Sequence, residues 1–160
     1  MQNPNCLISP SRRKKLEAQG FTGYSDEELA ARTFGFRFST GLCALLIGTG
    51  VAFSNIPLLL LAAATALFGA ILPNHPFDYL YNAMLANQPG KAQLDPNTPQ
   101  RKFACGIATV WLVGVIYLFY SSLFLWGYIF GAILTSVAAL VTTTDFCIPS
   151  AIYNFLFGRK

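Results

Sequence analysis

Cys147 stands in the run Asp145-Phe146-Cys147-Ile148-Pro149-Ser150, where a thiol precedes a proline at the expected start of a short helix. A helix N-terminus favours the thiolate, whereas the neighbouring carboxylate of Asp145 opposes it. A packed, unreactive cysteine satisfies the same pattern. The other thiols are Cys6 near the N-terminus and Cys43 and Cys105 in apolar surroundings, with no Cys-x-x-Cys pair anywhere. One histidine and scattered cysteines are poor material for a zinc site, which needs about four ligands, so no metal is expected.

The single histidine, His75, lies with Asp78 in Asn74-His75-Pro76-Phe77-Asp78-Tyr79. One histidine excludes bis-histidine haem and leaves ligation of a pigment, or capping and hydrogen bonding at a helix end. No glycine-rich phosphate loop and no Ser/His/Asp arrangement occurs, so no catalytic residue is assigned.

The elements that must position these groups follow from composition. Of the 160 residues, 54% are hydrophobic and 11% charged, against roughly 25% charged in soluble domains. No Asp, Glu, Lys or Arg occurs in residues 38–77 or in residues 103–144, stretches of 40 and 42 positions. A spanning helix needs about 20 apolar residues, so each stretch fits two spans, and neither shows the polar face of a soluble helix. The expected fold is all-α: four transmembrane helices as two antiparallel hairpins, plus short interfacial helices.

Boundaries come from caps and breakers. Ser9-Pro10 starts a short helix ending near Gly20, and the capping box Ser25-Asp26-Glu27-Glu28 starts another, with Gly35 expected to bend it before the first span. The expected spans are 36–53 and 56–72, divided by Ser54-Asn55, then 103–120 and 123–141, divided by Ser121-Ser122. The organisation is therefore an arm (1–35), hairpin 1 (36–73), a connection with an interfacial helix at 77–86 (74–102), hairpin 2 (103–142) and an interfacial tail (143–160). The arm has no apolar core before a cleavage site, so insertion is expected to begin with the first span.

All eleven Lys and Arg residues fall on one side of this four-span topology, which makes both termini cytoplasmic in a bacterial inner membrane. The run Arg12-Arg13-Lys14-Lys15 suits an anionic lipid surface. Ala62, Ala66 and Ala70 form one small-residue stripe, and Gly127 and Gly131 another, for helix packing or for docking of a partner. The segment Arg37-Phe38-Ser39-Thr40-Gly41-Leu42 resembles Lys102-Phe103-Ala104-Cys105-Gly106-Ile107, and each hairpin is followed by Pro and Tyr-Asn, which suggests a parallel repeat.

With Cys6 before Ser9-Pro10, Arg101-Lys102-Phe103-Ala104 opening the third span, and Asp145-Phe146-Cys147 with Tyr153 at the close, the chain resembles an uncharacterised family of small four-span bacterial membrane proteins, a domain of unknown function. Members of that family typically end in Phe-Cys-x-x-Cys; here the last position is Ser150, so the resemblance carries over Cys147 alone and no dithiol cycle. Three functions are then expected in turn. The first is a non-catalytic accessory or assembly subunit of a larger membrane complex, respiratory or photosynthetic, whose partners are other membrane subunits and the bilayer and not nucleic acid. The second is thiol redox or metal handling at Cys147. The third is pigment or lipid binding. The cofactor, if one exists, is unidentified by sequence.

Overall fold

A computed structural model describes residues 8–158; Cys6, Arg159 and Lys160 lie outside the described residues. Among the described residues the chain forms seven α-helices and no strand: α1 (Pro10–Ala18), α2 (Asp26–Ala52), α3 (Ile56–Ile71), α4 (Pro76–Met84), α5 (Pro99–Tyr120), α6 (Phe124–Thr144) and α7 (Ile148–Phe157).

The helix starts obey local chemistry. At α2 the Ser25 hydroxyl accepts the Glu28 N–H at 3.2 Å, and the Glu28 carboxylate accepts the Ser25 N–H at 2.8 Å. These bonds satisfy two amides that the first turn leaves without partners. Asn55 and Thr98 cap α3 and α5 in the same way, each followed by a proline in the first turn.

The helix ends share a second device. After α2 the Asn55 N–H reaches the Gly50 carbonyl at 2.8 Å, and after α5 the Leu123 N–H reaches the Leu118 carbonyl at 2.9 Å. Each turn places one serine in the left-handed region, Ser54 at φ 47° and Ser122 at φ 59°. This is the Schellman ending with serine in the usual glycine position. Three residues then suffice to join α2 to α3 and α5 to α6.

Gly35 does not bend the chain, because α2 runs unbroken from Asp26 to Ala52. Its missing side chain serves packing instead: a β-carbon there would lie 2.7 Å from the Tyr81 ring and 2.8 Å from Leu94. The expected division between an arm helix and a first span therefore falls inside one continuous helix.

Helices α2, α5 and α6 are long and apolar enough to cross a bilayer, and α3 joins them when counted with α4, from which it is bent by 85°. Three to four such helices make this a multi-pass membrane protein. Large side chains that would be buried in a soluble bundle point outward, with Val110 75%, Tyr120 79% and Leu125 70% exposed. Lipid is the environment that an apolar belt of this extent requires.

Inside the bundle, α3 packs most extensively on α5 and α2 on α6. Ala62 and Ala66 are buried in a core with Leu59, Leu112, Val115 and Phe119, while Ala70 is half-buried. The glycine stripe of α6 is filled from within the chain. A β-carbon at Gly127 would lie 2.7 Å from the Phe119 ring, and one at Gly131 would lie 2.6 Å from Val51. Of the two roles expected for Gly127 and Gly131, this is helix packing within the chain.

A second core joins the arm to the central connection. Leu16, Phe21, Leu29, Phe36, Tyr81 and Leu94 are all buried there, with the Phe21 and Phe36 rings stacked at 4.1 Å between centroids. The short helices return onto the long ones, α4 against α2 and α7 against α5. The order long helix, tight turn, second helix and short proline-started helix thus occurs twice.

Replacement of Gly131 by leucine should destabilise the protein through overpacking against Val51, by about 1–3 kcal/mol. Thermal unfolding in detergent, followed by loss of the monodisperse peak, measures this. A midpoint equal to that of the parent protein would contradict the packing described.

Candidate functional site

Just past the sharp bend from α3, the first turn of α4 carries Asp78 under the ends of α2 and α5. Its carboxylate is fully buried, receives Arg101 Nη1 at 3.1 Å and Nη2 at 3.4 Å, and accepts the Ser39 hydroxyl at 2.5 Å. The Arg101 guanidinium lies against the stacked pair of Phe21 and Phe36, 5.8 and 5.7 Å from their ring centroids. Two charges removed from water are tolerable only when paired and hydrogen-bonded, as these are. Asp78 is therefore not an interfacial cap, and the bundle is not free of buried ionisable groups at this end.

His75 is the cap of α4. Its Nδ1 accepts the Phe77 N–H at 3.3 Å, which fixes the remaining proton of a neutral ring on Nε2. Nε2 faces the Cys43 sulfur at 3.7 Å. Gly69 of α3 makes room for this arrangement, since a β-carbon there would lie 3.0 Å from Cys105 Sγ and 3.1 Å from His75 Nε2. The imidazole thus lies beside the Cys43 thiol, over a bare stretch of α3 that Cys105 also approaches.

Above these groups lies a cavity of about 380 Å³. Its walls are apolar, formed by Ile47, Ala62, Ala66, Ala108, Trp111 and Leu134 from α2, α3, α5 and α6. Its polar end holds His75, Arg101 and Ser39, and three thiols line it: Cys43, Cys105 and Cys147. The cysteines that look scattered along the chain are therefore gathered about one space. They are free thiols, and no group of three or more metal-ligating side chains with metal-binding geometry occurs among the described residues.

Cys147 caps α7 without any side-chain hydrogen bond and is buried. The carboxylate beside it is neutralised: Asp145 accepts Arg12 Nε at 2.7 Å, Arg37 Nε at 3.0 Å and Arg37 Nη2 at 2.8 Å. Lys15 Nζ donates to the Thr144 carbonyl at 3.0 Å and Gln19 Nε2 to the Asp145 carbonyl at 2.8 Å. Cations are favoured at these orphan carbonyls by the helix dipole. Arg13 pairs with Glu17 and Asp26. Of the four cations expected to face anionic lipid, Arg12, Arg13 and Lys15 act as a clasp on the protein itself, and Lys14 is exposed.

The non-helical run between α4 and α5 is strapped down. Asn82 brackets Leu94 with two bonds, 2.8 and 3.1 Å, and Asn97 Nδ2 donates to the Gly69 carbonyl at 3.0 Å. Asp95 accepts both the Tyr24 hydroxyl and Arg32 Nε at 2.9 Å. Burial, reinforced by that carboxylate, pushes the Tyr24 phenol above its usual value, so it stays a donor well past neutral pH.

Ser150, which stands where the resembled motif has its second cysteine, is 1% exposed, and its hydroxyl has no partner. A thiol is the more comfortable group in such a place, being only weakly polar.

These features define a multi-pass α-helical membrane protein with an internal apolar cavity and a polar end built from one ion pair, one imidazole and three thiols. The chain belongs to the family described as "Domain of unknown function (DUF4395)", whose model matches residues 33–157. No curated protein matches the chain. No solved structure matches it either.

Arg101→Gln should strand the Asp78 carboxylate in an apolar setting and cost about 3–5 kcal/mol, whereas Asp78→Leu combined with Arg101→Met should cost much less. Unfolding midpoints of the two variants in one detergent compare them. Equal losses would show that the charges themselves are not what the fold depends on.

Proposed function

We propose that this protein holds a lipid-like small molecule inside the membrane, in the cavity between α2, α3, α5, α6 and α7. The observation that carries the reading is the cavity: about 380 Å³ of apolar space with its polar groups gathered at one end. Binding sites for small molecules have this form and fall in this size range. Access is sideways from the bilayer, between α6 and α7, which scarcely touch.

The topology that goes with this reading has four crossings as two antiparallel hairpins. Helix α4 lies along the cytoplasmic surface, and both termini are cytoplasmic by the one-sided basic residues. The accessory-subunit reading has less support, because the glycine face it relied on is filled by Phe119 and Val51. Thiol chemistry on the bound molecule is a second reading, favoured by the presence of Cys43 and Cys105 beside Cys147 on the same cavity.

Protein purified from native membranes in mild detergent should release one apolar small molecule per chain on solvent extraction. Ala138→Trp, which fills the cavity from α6, should release none at equal yield. An empty wild-type protein would rule the reading out. For topology, Asn55→Cys and Ser122→Cys should react with an impermeant maleimide from outside intact cells, and Lys91→Cys should not. Labelling at position 91 would reverse the orientation.

A further inference from the structure

The polar end of the cavity limits what chemistry can enter it. The charge of Arg101 is already matched by Asp78, to which each of its terminal nitrogens donates one N–H. The Ser39 hydroxyl is committed to the same carboxylate, the Gln19 amide N–H to the Asp145 carbonyl, and the Thr40 and Thr65 hydroxyls to carbonyls one turn back on their own helices. His75 is neutral, since a protonated ring could not accept the Phe77 N–H on Nδ1. The one cation of the lining is thus already matched by a buried carboxylate, and a charged headgroup brought here would lose its hydration for little compensation.

One neutral donor of the lining lacks a strong acceptor. His75 is 5% exposed, and its Nε2–H has only the Cys43 sulfur, a weak acceptor, at 3.7 Å. A buried N–H served this poorly gains most from a carbonyl oxygen. A glycerolipid would bring several hydroxyl, ester or phosphate groups, each needing partners, into a lining whose hydroxyls and amide are already committed. The ligand that fits is uncharged and mostly apolar, with an acceptor oxygen at its inner end and a ring able to lie against Trp111 on the wall.

We propose that the cavity takes a prenylated quinone, with a ring carbonyl accepting the His75 Nε2–H and the prenyl tail leaving toward the bilayer. The thiols of Cys105 and Cys147, weak donors on the same lining, stand available to the second carbonyl. His75 is thus a binding residue, held in its tautomer by the backbone of α4 and in its position by the bare surface at Gly69. This inference rests on the cavity reading above and adds the chemical class of the occupant.

The test is a fluorescence titration of the full chain in lipid nanodiscs. Exposed Trp126 is replaced by phenylalanine so that Trp111 reports from the cavity wall. The probes are a quinone with two isoprene units and its 1,4-dimethoxy counterpart, which has the same tail and no carbonyl. The quinone should quench Trp111 saturably, and the dimethoxy compound should compete about tenfold more weakly, the loss expected for one hydrogen bond. His75→Phe should weaken quinone binding about tenfold, and His75→Gln, which restores an N–H donor, should recover most of it. Equal affinity of the two probes on the unaltered site overturns the carbonyl assignment while leaving the cavity reading intact. That comparison needs no His75 variant to fold. No saturable effect of either probe, with no difference when Ala138→Trp is introduced, sinks both readings together.

Discussion

Asp78 and Arg101 set the terms for the whole lower end of the molecule. A carboxylate at zero exposure, level with the ends of lipid-facing helices, is tolerable only if a cation is brought to it and held there. Bringing them together requires α4 to turn 85° beneath the bundle, α5 to begin at Thr98 so that its first turn presents Arg101, and α2 to offer Ser39 from the neighbouring face. Phe21 and Phe36 then shield the guanidinium, which recruits the arm as well. Four segments distant in sequence are thus tied by one neutralised charge, and the cavity above inherits a closed and uncharged floor.

That floor explains why the site combines groups that seem ill-matched. A guanidinium would ordinarily advertise an anion site, and three thiols with an imidazole would advertise a metal. Here the guanidinium is already paired, and the thiols and imidazole surround a space without converging on a point. What they share is modest polarity in an apolar enclosure. Such a lining selects for shape and a single well-placed acceptor rather than for charge.

The bundle was legible because its signals are local. Two uncharged stretches, the Ser25 capping box and the breakers Ser54-Asn55 and Ser121-Ser122 located the long helices to within a few residues, except that Gly35 was read as a hinge. A glycine within an apolar run has two meanings, conformational freedom or close approach, and only the position of Tyr81 decides between them. The cavity was not legible. Cys43, Cys105 and Cys147 have no common spacing, and Arg101 and Asp78 stand 23 positions apart across a connection whose path depends on Asn82 and Asn97. One signal did exist: Asp78 and Arg101 are opposite charges flanking the inner edges of the two uncharged stretches, where a compensating pair is the economical solution. The basic run was misread for a related reason, since the composition of Arg12-Arg13-Lys14-Lys15 does not reveal that Asp145 lies across from it.

The brevity of α3 bears on the lipid around it. Its 16 residues extend about 24 Å at 1.5 Å per residue, against a hydrocarbon thickness of about 30 Å. The partner helix α5 has 22 residues and no such shortfall. Leu60, Leu61, Leu67, Phe68 and Ile71 face outward on α3, and under the proposed four-crossing topology a helix this short would be accommodated by thinning of the bilayer on its side. On that topology the membrane next to the protein would be lopsided, thinned along one flank and of ordinary depth on the other. That asymmetry would make the chain sensitive to bilayer thickness and draw shorter-chained lipids to the flank of α3.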